Sequence, residues 1–195
     1  MTEHIFKHGD YRNHPPPIGT SLMIADPVYG DTIMINELAD LARVRSIPTC
    51  IFMWPRDLCS LCQVPNQICH WIKPISTKNT SKNYSNFVEV IALYGVKFHR
   101  ELHWANRSGI FVDQLFTNTE HEWKKPESLI ERLIQNHYSG EGIIYDPCAG
   151  SRTVETVCMK LDIPSFSVDL GIGSDKTEVV ATLDDFADSL KKGSA

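Results

Sequence analysis

The fold is decided by residues 145–153, Tyr145-Asp146-Pro147-Cys148-Ala149-Gly150-Ser151-Arg152-Thr153. The apolar run Gly142–Tyr145 before the turn predicts a strand, and Thr153–Leu161 after it has the periodicity of a helix. Small residues between the two let the backbone approach a ligand closely, and the helix start offers free N–H groups. Open α/β sheets bind their ligands at such strand ends. The stretch therefore predicts an α/β fold with a ligand site at this turn.

A second acidic residue follows at a meaningful distance. The predicted strand Ser165–Val168 leads into Asp169, 23 residues after Asp146. That spacing is expected for a carboxylate that binds the hydroxyls of a ribose. The alternative is an ordinary strand-to-helix loop with two unrelated acids.

A third constellation, Asp26-Pro27-Val28-Tyr29-Gly30, follows the apolar run Ser21–Ala25. A strand that ends in this way delivers a carboxylate, a backbone carbonyl and an aromatic ring to the carboxyl edge of the sheet. The alternative is a plain turn, since Asp, Pro and Gly favour turns for local reasons.

The rest of the chain alternates between strand and helix patterns, as in a sheet with helices on its faces. No repeat or linker divides it, so residues 1–195 are expected to form one domain. Residues 96–121 fit neither pattern, which indicates a loop-rich target-recognition insertion. The remaining predicted strands are Thr49–Trp54, Gln67–Ile72 and Phe87–Tyr94, and the other predicted helices are Ile33–Arg45 and Pro126–His137.

Length and composition bound the function. A chain of 195 residues can bury one core but has little room for a separate recognition domain. No apolar run is long enough for a membrane span, and the N-terminus lacks a secretion signal, so we expect a soluble, cytoplasmic protein with no membrane partner. The net charge of −5 means that any nucleic acid must bind a local basic surface.

Basic residues concentrate between Trp71 and Arg107. This segment is the expected nucleic-acid surface, in which exposed cations contact phosphates and an aromatic ring contacts a base. The alternative is a solvated loop surface, which is the commoner role of a run of charges. The candidate DNA-binding residues are Lys73, Lys78, Lys97, Arg100, Trp104 and Arg107.

Six cysteines in a chain of this composition are expected to be reduced thiols. Cys59 and Cys62 form a Cys-x-x-Cys pair that would suit zinc. We favour the alternative that, with Leu58 and Leu61, they line the buried side of a helix as small apolar groups. No metal site is predicted.

The three strand-end motifs together resemble a known family. Asp26-Pro27-Val28-Tyr29 is similar to the Asp-Pro-Pro-Tyr motif of S-adenosylmethionine-dependent DNA amino-methyltransferases, and residues 146–151 resemble their Asp-Pro-Phe-x-Gly-Ser-Gly cofactor loop. The catalytic motif precedes the cofactor loop, which is the permuted order of the β class. Further matching landmarks are Gly9-Asp10, His70-Trp71-Ile72-Lys73, Glu89 and Lys125-Pro126.

This resemblance implies a Rossmann-like methyltransferase fold, with a mostly parallel sheet and helices on both faces. It implies methyl transfer to an exocyclic amine of a base in DNA, with adenine N6 favoured over cytosine N4 because Asp heads the catalytic motif. The implied catalytic residues are Asp26, Pro27, Val28 and Tyr29, with Tyr29 stacking on a flipped base. The implied S-adenosylmethionine-binding residues are Asp10, Lys125, Pro126, Asp146, Pro147, Cys148, Ala149, Gly150, Ser151 and Asp169.

Two residues depart from the family pattern. Val28 replaces the second proline, which frees φ and restores an N–H. Arg152 replaces a glycine and would repel a cationic cofactor unless it points outwards to a carboxylate or phosphate. These departures leave open a catalytically silent relative that binds nucleic acid or a protein. A methyltransferase acting on RNA or a protein amide is also left open, as is a homodimer or a separate specificity partner.

Overall fold

The computed structural model describes residues 2–73, 87–99, 101, 107–113 and 124–171. These contain α1 (Thr32–Arg45), α2 (Glu127–His137) and α3 (Thr153–Leu161), with short 3-10 turns at Tyr11–Asn13 and Pro55–Ser60. The strands are β1 (His4–His8), β2 (Thr20–Ala25), β3 (Thr49–Met53), β4 (Gln67–Ile72), β5 (Val88–Tyr94), β6 (Ile110–Val112), β7 (Ile143–Asp146) and β8 (Ser165–Asp169).

All of these strands join one sheet in the order β1-β8-β7-β2-β3-β5-β4-β6. The five strands from β1 to β3 are mutually parallel, and β5 runs antiparallel between β3 and β4. The carboxyl ends of β7 and β2 are neighbours, because Met23 pairs with Tyr145. The reversed strand β5 brings its beginning to the same edge, where Met53 pairs with Val90.

Two apolar layers cover the sheet, because each central strand is buried on both sides. In β2, Met23 and Ala25 pack with α1 in one layer, whereas Leu22 and Ile24 pack with α2 and α3 in the other. The expected fold is therefore confirmed: a mostly parallel sheet with helices on both faces. In the described part of the chain, no helix has the length and apolar character to cross a membrane.

All six predicted strands and all three predicted helices are present, with ends shifted by at most one residue. Two strands were not predicted. Strand β1 is half-exposed at the sheet margin and lacks a continuous apolar run. Strand β6 is three residues long and lies at the opposite margin, so the stretch 96–121 is not without regular structure. Short marginal strands carry too few buried side chains to give a clear alternation.

Candidate active site

Four aspartates stand side by side along the carboxyl edge of the sheet. Asp10 follows β1, whereas Asp169, Asp146 and Asp26 end or follow β8, β7 and β2. Because those four strands are neighbours and parallel, the order of the acids along the edge is Asp10, Asp169, Asp146, Asp26. The sheet therefore gathers into one row the acids that the sequence motifs singled out.

Backbone hydrogen bonds tie the turn after β7 to this row. The Asp146 carboxylate accepts from the Cys148 N–H at 3.0 Å, and Asp169 accepts from the Gly150 N–H at 2.7 Å. The Ala149 N–H donates to the carbonyl of Val168 at 2.9 Å. Of the turn residues, Asp146, Pro147 and Ala149 are buried, whereas Gly150 is exposed. The turn is thus held between β7 and β8 with its glycine open to solvent.

The buried carboxyl of Asp146 has a strongly perturbed pKa. Burial raises it to about 8, against the lowering effect of the Cys148 N–H, and the nearby acids Asp26, Asp169 and Glu155 raise it further. A cation placed beside this carboxyl would lower its pKa, because opposite charge favours the ionised form.

The outer two acids of the row are also held by hydrogen bonds. Asp169 accepts from the Gly171 N–H at 2.7 Å in addition to Gly150. Asp10 accepts from both the backbone N–H and the guanidinium of Arg12, each at 2.9 Å, and the backbone hydrogen bond is the main cause of its lowered pKa. Both acids therefore occupy fixed positions at the edge.

Arg152, which stands where the resembling family has glycine, adopts a left-handed conformation with φ of 56°. Its guanidinium donates to Glu155 at 2.7 Å and lies 4.5 Å from the ring centre of Phe6. Glu155 is only 3 % exposed. The Arg152 guanidinium is thus paired with a buried carboxylate on α3. This pairing reduces the repulsion between Arg152 and a cationic ligand. Ser151 bonds the hydroxyl of Thr153 at 2.9 Å.

Asp26 forms the centre of a second cluster. Its Oδ2 accepts from the Lys125 ammonium at 2.6 Å. Its Oδ1 is buried and has no hydrogen-bond partner among the residues that the structure describes. Burial raises the pKa of Asp26, and the charge and hydrogen bond of Lys125 act in the opposite direction.

Glu89, at the start of β5, connects the rest of this cluster. It accepts from the Tyr29 hydroxyl and, at 2.7 Å, from the Lys73 ammonium, and it lies 3.6 Å from Lys125. Burial is the largest cause of the raised pKa of Tyr29. Beside Tyr29 in the sequence, Pro27 is buried and Val28 is 75 % exposed. Pro126 is buried and accepts the first backbone hydrogen bonds of α2.

The turn after β3 completes this edge, and sequence analysis missed it. Trp54 meets the Tyr29 ring edge-on with 5.7 Å between centroids, and the Arg56 guanidinium lies 3.9 Å from the Trp54 ring centre. Asp57 accepts from the N–H groups of Trp54 and Gly30, which links the two turns. The available signal was Trp54-Pro55-Arg56 directly after a predicted strand.

The candidate DNA-binding residues that the structure describes lie at opposite edges of the sheet. Lys73 is 8 % exposed and paired with Glu89, and its contact with DNA stays a prediction. Lys97 is exposed but follows the end of β5, where Tyr94 pairs with the first residue of β3 at the opposite edge from Asp26. Arg107 is exposed and precedes β6, also on that side. Lys78, Arg100 and Trp104 lie outside the described residues.

The interpretation of the cysteine pair is wrong. Cys59 and Cys62 are exposed, and the segment Pro55–Ser60 is a 3-10 turn. Leu58 and Leu61 alone pack against the core. No group of three or more His, Cys, Asp or Glu side chains suited to a metal occurs within the described ranges.

Comparison with known proteins agrees with this geometry. Residues 65–178 match the N6/N4 DNA methylase family, which is more than half of the chain. The chain therefore belongs to this family of DNA amino-methyltransferases, and the expected family is confirmed. No curated protein matches it significantly by sequence.

Solved structures share the fold at low identity. The M1.HpyAVI–SAM complex is 17 % identical with a TM-score of 0.67, covering 97 % of this chain and 99 % of that one. PvuII DNA methyltransferase, described as cytosine-N4-specific, is 11 % identical with a TM-score of 0.68, covering 98 % and 92 %. A putative DNA modification methylase from Thermus thermophilus, complexed with S-adenosyl-L-methionine, is 14 % identical with a TM-score of 0.55, covering 86 % and 88 %.

Proposed function

We propose that this protein transfers a methyl group from S-adenosylmethionine to the N6 amine of adenine in DNA. The observation that carries the proposal is the buried Oδ1 of Asp26, which has no partner within the described part of the chain and lies at one end of the row of aspartates on the carboxyl edge. A buried acceptor without a donor is costly, and an exocyclic amine supplies the missing donor.

The acidic row suits the cofactor. S-adenosylmethionine carries a positive sulfonium, and Asp146 and Asp169 offer negative charge on either side of the glycine turn. Asp169 keeps lone pairs for ribose hydroxyls beyond its two backbone hydrogen bonds. Asp10, next along the edge, is the candidate partner of the adenine ring of the cofactor. When bound, the cofactor supplies an electrophilic methyl group, and the electron pair of the broken carbon–sulfur bond stays on sulfur.

The residues after β2 act on the target base. The Asp26 carboxylate and the Pro27 carbonyl accept from the two amine hydrogens, which draws electron density onto a nitrogen that is otherwise conjugated into the ring. This nitrogen is the nucleophile that bonds to the methyl carbon. One amine hydrogen then departs as a proton along the hydrogen bond to Asp26.

Tyr29 supplies the ring on which the flipped base stacks. Its hydroxyl is held by Glu89 and its ring contacts Trp54 in a T-shaped arrangement, so the ring orientation is fixed before the base arrives. Adenine is favoured over cytosine because Asp heads the catalytic motif.

The test uses Asp26→Asn, which keeps the shape of the side chain but replaces an ionised acceptor with a neutral amide. We expect cofactor affinity close to wild type and a methyl-transfer barrier higher by about 3–4 kcal/mol, by analogy with other lost transition-state hydrogen bonds. Calorimetry gives the affinity, and single-turnover methylation of DNA gives the rate.

The matched control is Asp31→Asn, because Asp31 caps α1 five residues away and is exposed. It should methylate at the wild-type rate. Expression of the wild type in a methylation-free bacterium, followed by sequencing for modified bases, identifies the base. Modified cytosine would overturn the adenine assignment, and wild-type rates in Asp26→Asn would overturn the catalytic one.

A further inference from the structure

Lys125 is a buried lysine whose partners belong to the base side of the site. Its side chain is 9 % exposed, and its ammonium donates to Asp26 Oδ2 at 2.6 Å. A second carboxylate, that of Glu89, lies 3.6 Å from the same ammonium. The charge of this cation is therefore balanced by residues that line the position of the target base, rather than by the cofactor turn.

Aromatic rings surround the same ammonium. Its nitrogen lies 5.0 Å from the ring centre of Tyr29, 5.4 Å from that of Phe52 and 5.8 Å from that of Trp71. A cation among ring faces gains electrostatic attraction without additional hydrogen bonds. The rings and the two carboxylates leave the ammonium one well-defined position.

The consequence falls on Asp26. With Oδ2 occupied by Lys125, the carboxylate is fixed in orientation, and the oxygen left without a partner among the described residues is Oδ1. Fixed geometry in the acceptor matters, because a hydrogen bond to a developing charge needs no reorganisation when its acceptor is already in place.

We propose that Lys125 is a positioning residue for Asp26, holding its carboxylate ionised and turned so that Oδ1 receives the target amine. This inference rests on the proposed function of Asp26. It also reassigns Lys125, which family resemblance alone associates with the cofactor.

Titration of Asp26 gives the proposal a distinctive signature. The groups that face Asp26 are Lys125 before α2, Glu89 on β5, Tyr29 after β2, Asp146 at the end of β7 and Cys148 in the turn after it. Among them Lys125 is the cation, and burial, the largest cause of the raised pKa of Asp26, is opposed mainly by it. Loss of Lys125 should therefore raise that pKa further and increase the protonated fraction of the acceptor.

The experiment compares Lys125→Met with Lys125→Arg and with Lys124→Met as the matched control. Lys124 is the neighbouring lysine and pairs with Glu127 on α2. For each folded variant we would measure cofactor affinity by calorimetry, single-turnover methylation from pH 6 to pH 9, and the Asp26 carboxyl titration by carbon-13 NMR.

For Lys125→Met we expect methylation at pH 7 to fall about tenfold or more, with recovery as pH rises. Its Asp26 pKa should rise, and cofactor affinity should stay within about threefold of wild type. Lys125→Arg should retain much of the wild-type rate, and Lys124→Met should retain all of it. A Lys125→Met rate profile and carboxyl titration that match wild type, or a loss of affinity as large as the loss of rate, would overturn the inference.

The NMR titration separates this proposal from the proposed function. A raised Asp26 pKa in Lys125→Met supports the positioning role even if wild type methylates no DNA, which would count against the proposed function alone. An unchanged Asp26 pKa in a protein that does methylate DNA would count against Lys125 alone.

Discussion

At the scale of single residues, Asp146 gives the site a pH dependence that can be measured without DNA. Its pKa of about 8 means that the carboxyl is largely protonated at neutral pH when the site holds no cation. A sulfonium nearby favours the ionised form, so cofactor binding lowers this pKa and releases a proton. We therefore expect affinity for S-adenosylmethionine to rise with pH up to about 8 and to level off above that value.

The measurement is calorimetry in buffers of different ionisation enthalpy, which counts protons released on binding. Between pH 6 and pH 7.5 the count should be positive and below one. Asp146→Asn keeps an acceptor for the Cys148 N–H but has no titrating proton. Its affinity should lose this pH dependence, and a dependence that survives in Asp146→Asn would belong to another group.

The individual acids of the site were predictable from sequence, whereas the lysines were not. Asp26, Asp146 and Asp169 each follow an apolar run, so strand direction alone sends them to one edge. Lys73 also follows a strand, yet it lies buried against Glu89. Its role depends on β5 running antiparallel beside β4, and a charge pattern along the sequence does not contain that pairing.

At the scale of elements, the start of β7 depends on the absence of a side chain at Gly142. A Cβ at this position would stand 2.3 Å from the carbonyl oxygen of Gly19, just before β2. That carbonyl also accepts the Ile143 N–H at 3.0 Å. The contact sets the spacing of β2 and β7, the two strands that carry Asp26 and Asp146.

Gly142→Ala should therefore destabilise the protein more than the backbone angle alone requires. Gly140→Ala is the matched control, because φ is +93° there and +91° at Gly142, while nothing lies within 4 Å of a Cβ at Gly140. We expect a cost of about 1–2 kcal/mol at Gly140 for the left-handed angle. Overpacking against the backbone should add about 1–3 kcal/mol more at Gly142.

Chemical denaturation of both variants tests this expectation. Equal costs would mean that β2 and β7 can separate slightly without penalty, and cofactor affinity in Gly142→Ala would then be expected to match wild type. A larger cost at Gly142 with weakened cofactor binding would tie the stability of this strand pair to the site.

The elements themselves were predictable where they are buried on both faces. Strands β2, β3, β5, β7 and β8 supply half of the buried hydrophobic residues and form apolar runs in the sequence. The spacing of Leu58 and Leu61 suits the buried side of a helix equally well, which is why the pattern alone does not reveal the 3-10 turn Pro55–Ser60. In the structure, Pro55 begins a 3-10 turn that leaves the cysteines exposed. This turn places Trp54 and Arg56 at the site.

At the scale of the whole molecule, the antiparallel strand β5 separates the basic segment from the acidic edge. Tyr94 ends β5 at the edge where β3 begins, so Lys97 lies at the opposite end of the sheet from Asp26. The position of a charge run in the sequence carries no information on which edge of the sheet it will occupy. Arg56, by contrast, directly follows the carboxyl end of β3 and has a side chain that is 69 % exposed.

The net charge of −5 makes this distinction measurable, because DNA must be held by local cations. Each phosphate contact adds about 0.9 to the slope of log affinity against log salt concentration for duplex DNA. We expect steep salt dependence in the wild type, a slope reduced by about 0.9 in Arg56→Ala, and no change of slope in Lys97→Ala. Fluorescence anisotropy with a labelled duplex over a series of salt concentrations gives all three slopes.

Arg56→Ala also removes the guanidinium that lies over the Trp54 ring, so its effect on base capture needs a separate readout. Arg56→Lys keeps the charge and loses most of the planar stacking, and it should therefore restore the slope. If Lys97→Ala lowers the slope while Arg56→Ala does not, DNA approaches from the edge where β3 begins. The target base could then not reach Asp26 directly, and the assignment of the carboxyl edge as the DNA-facing side would be wrong.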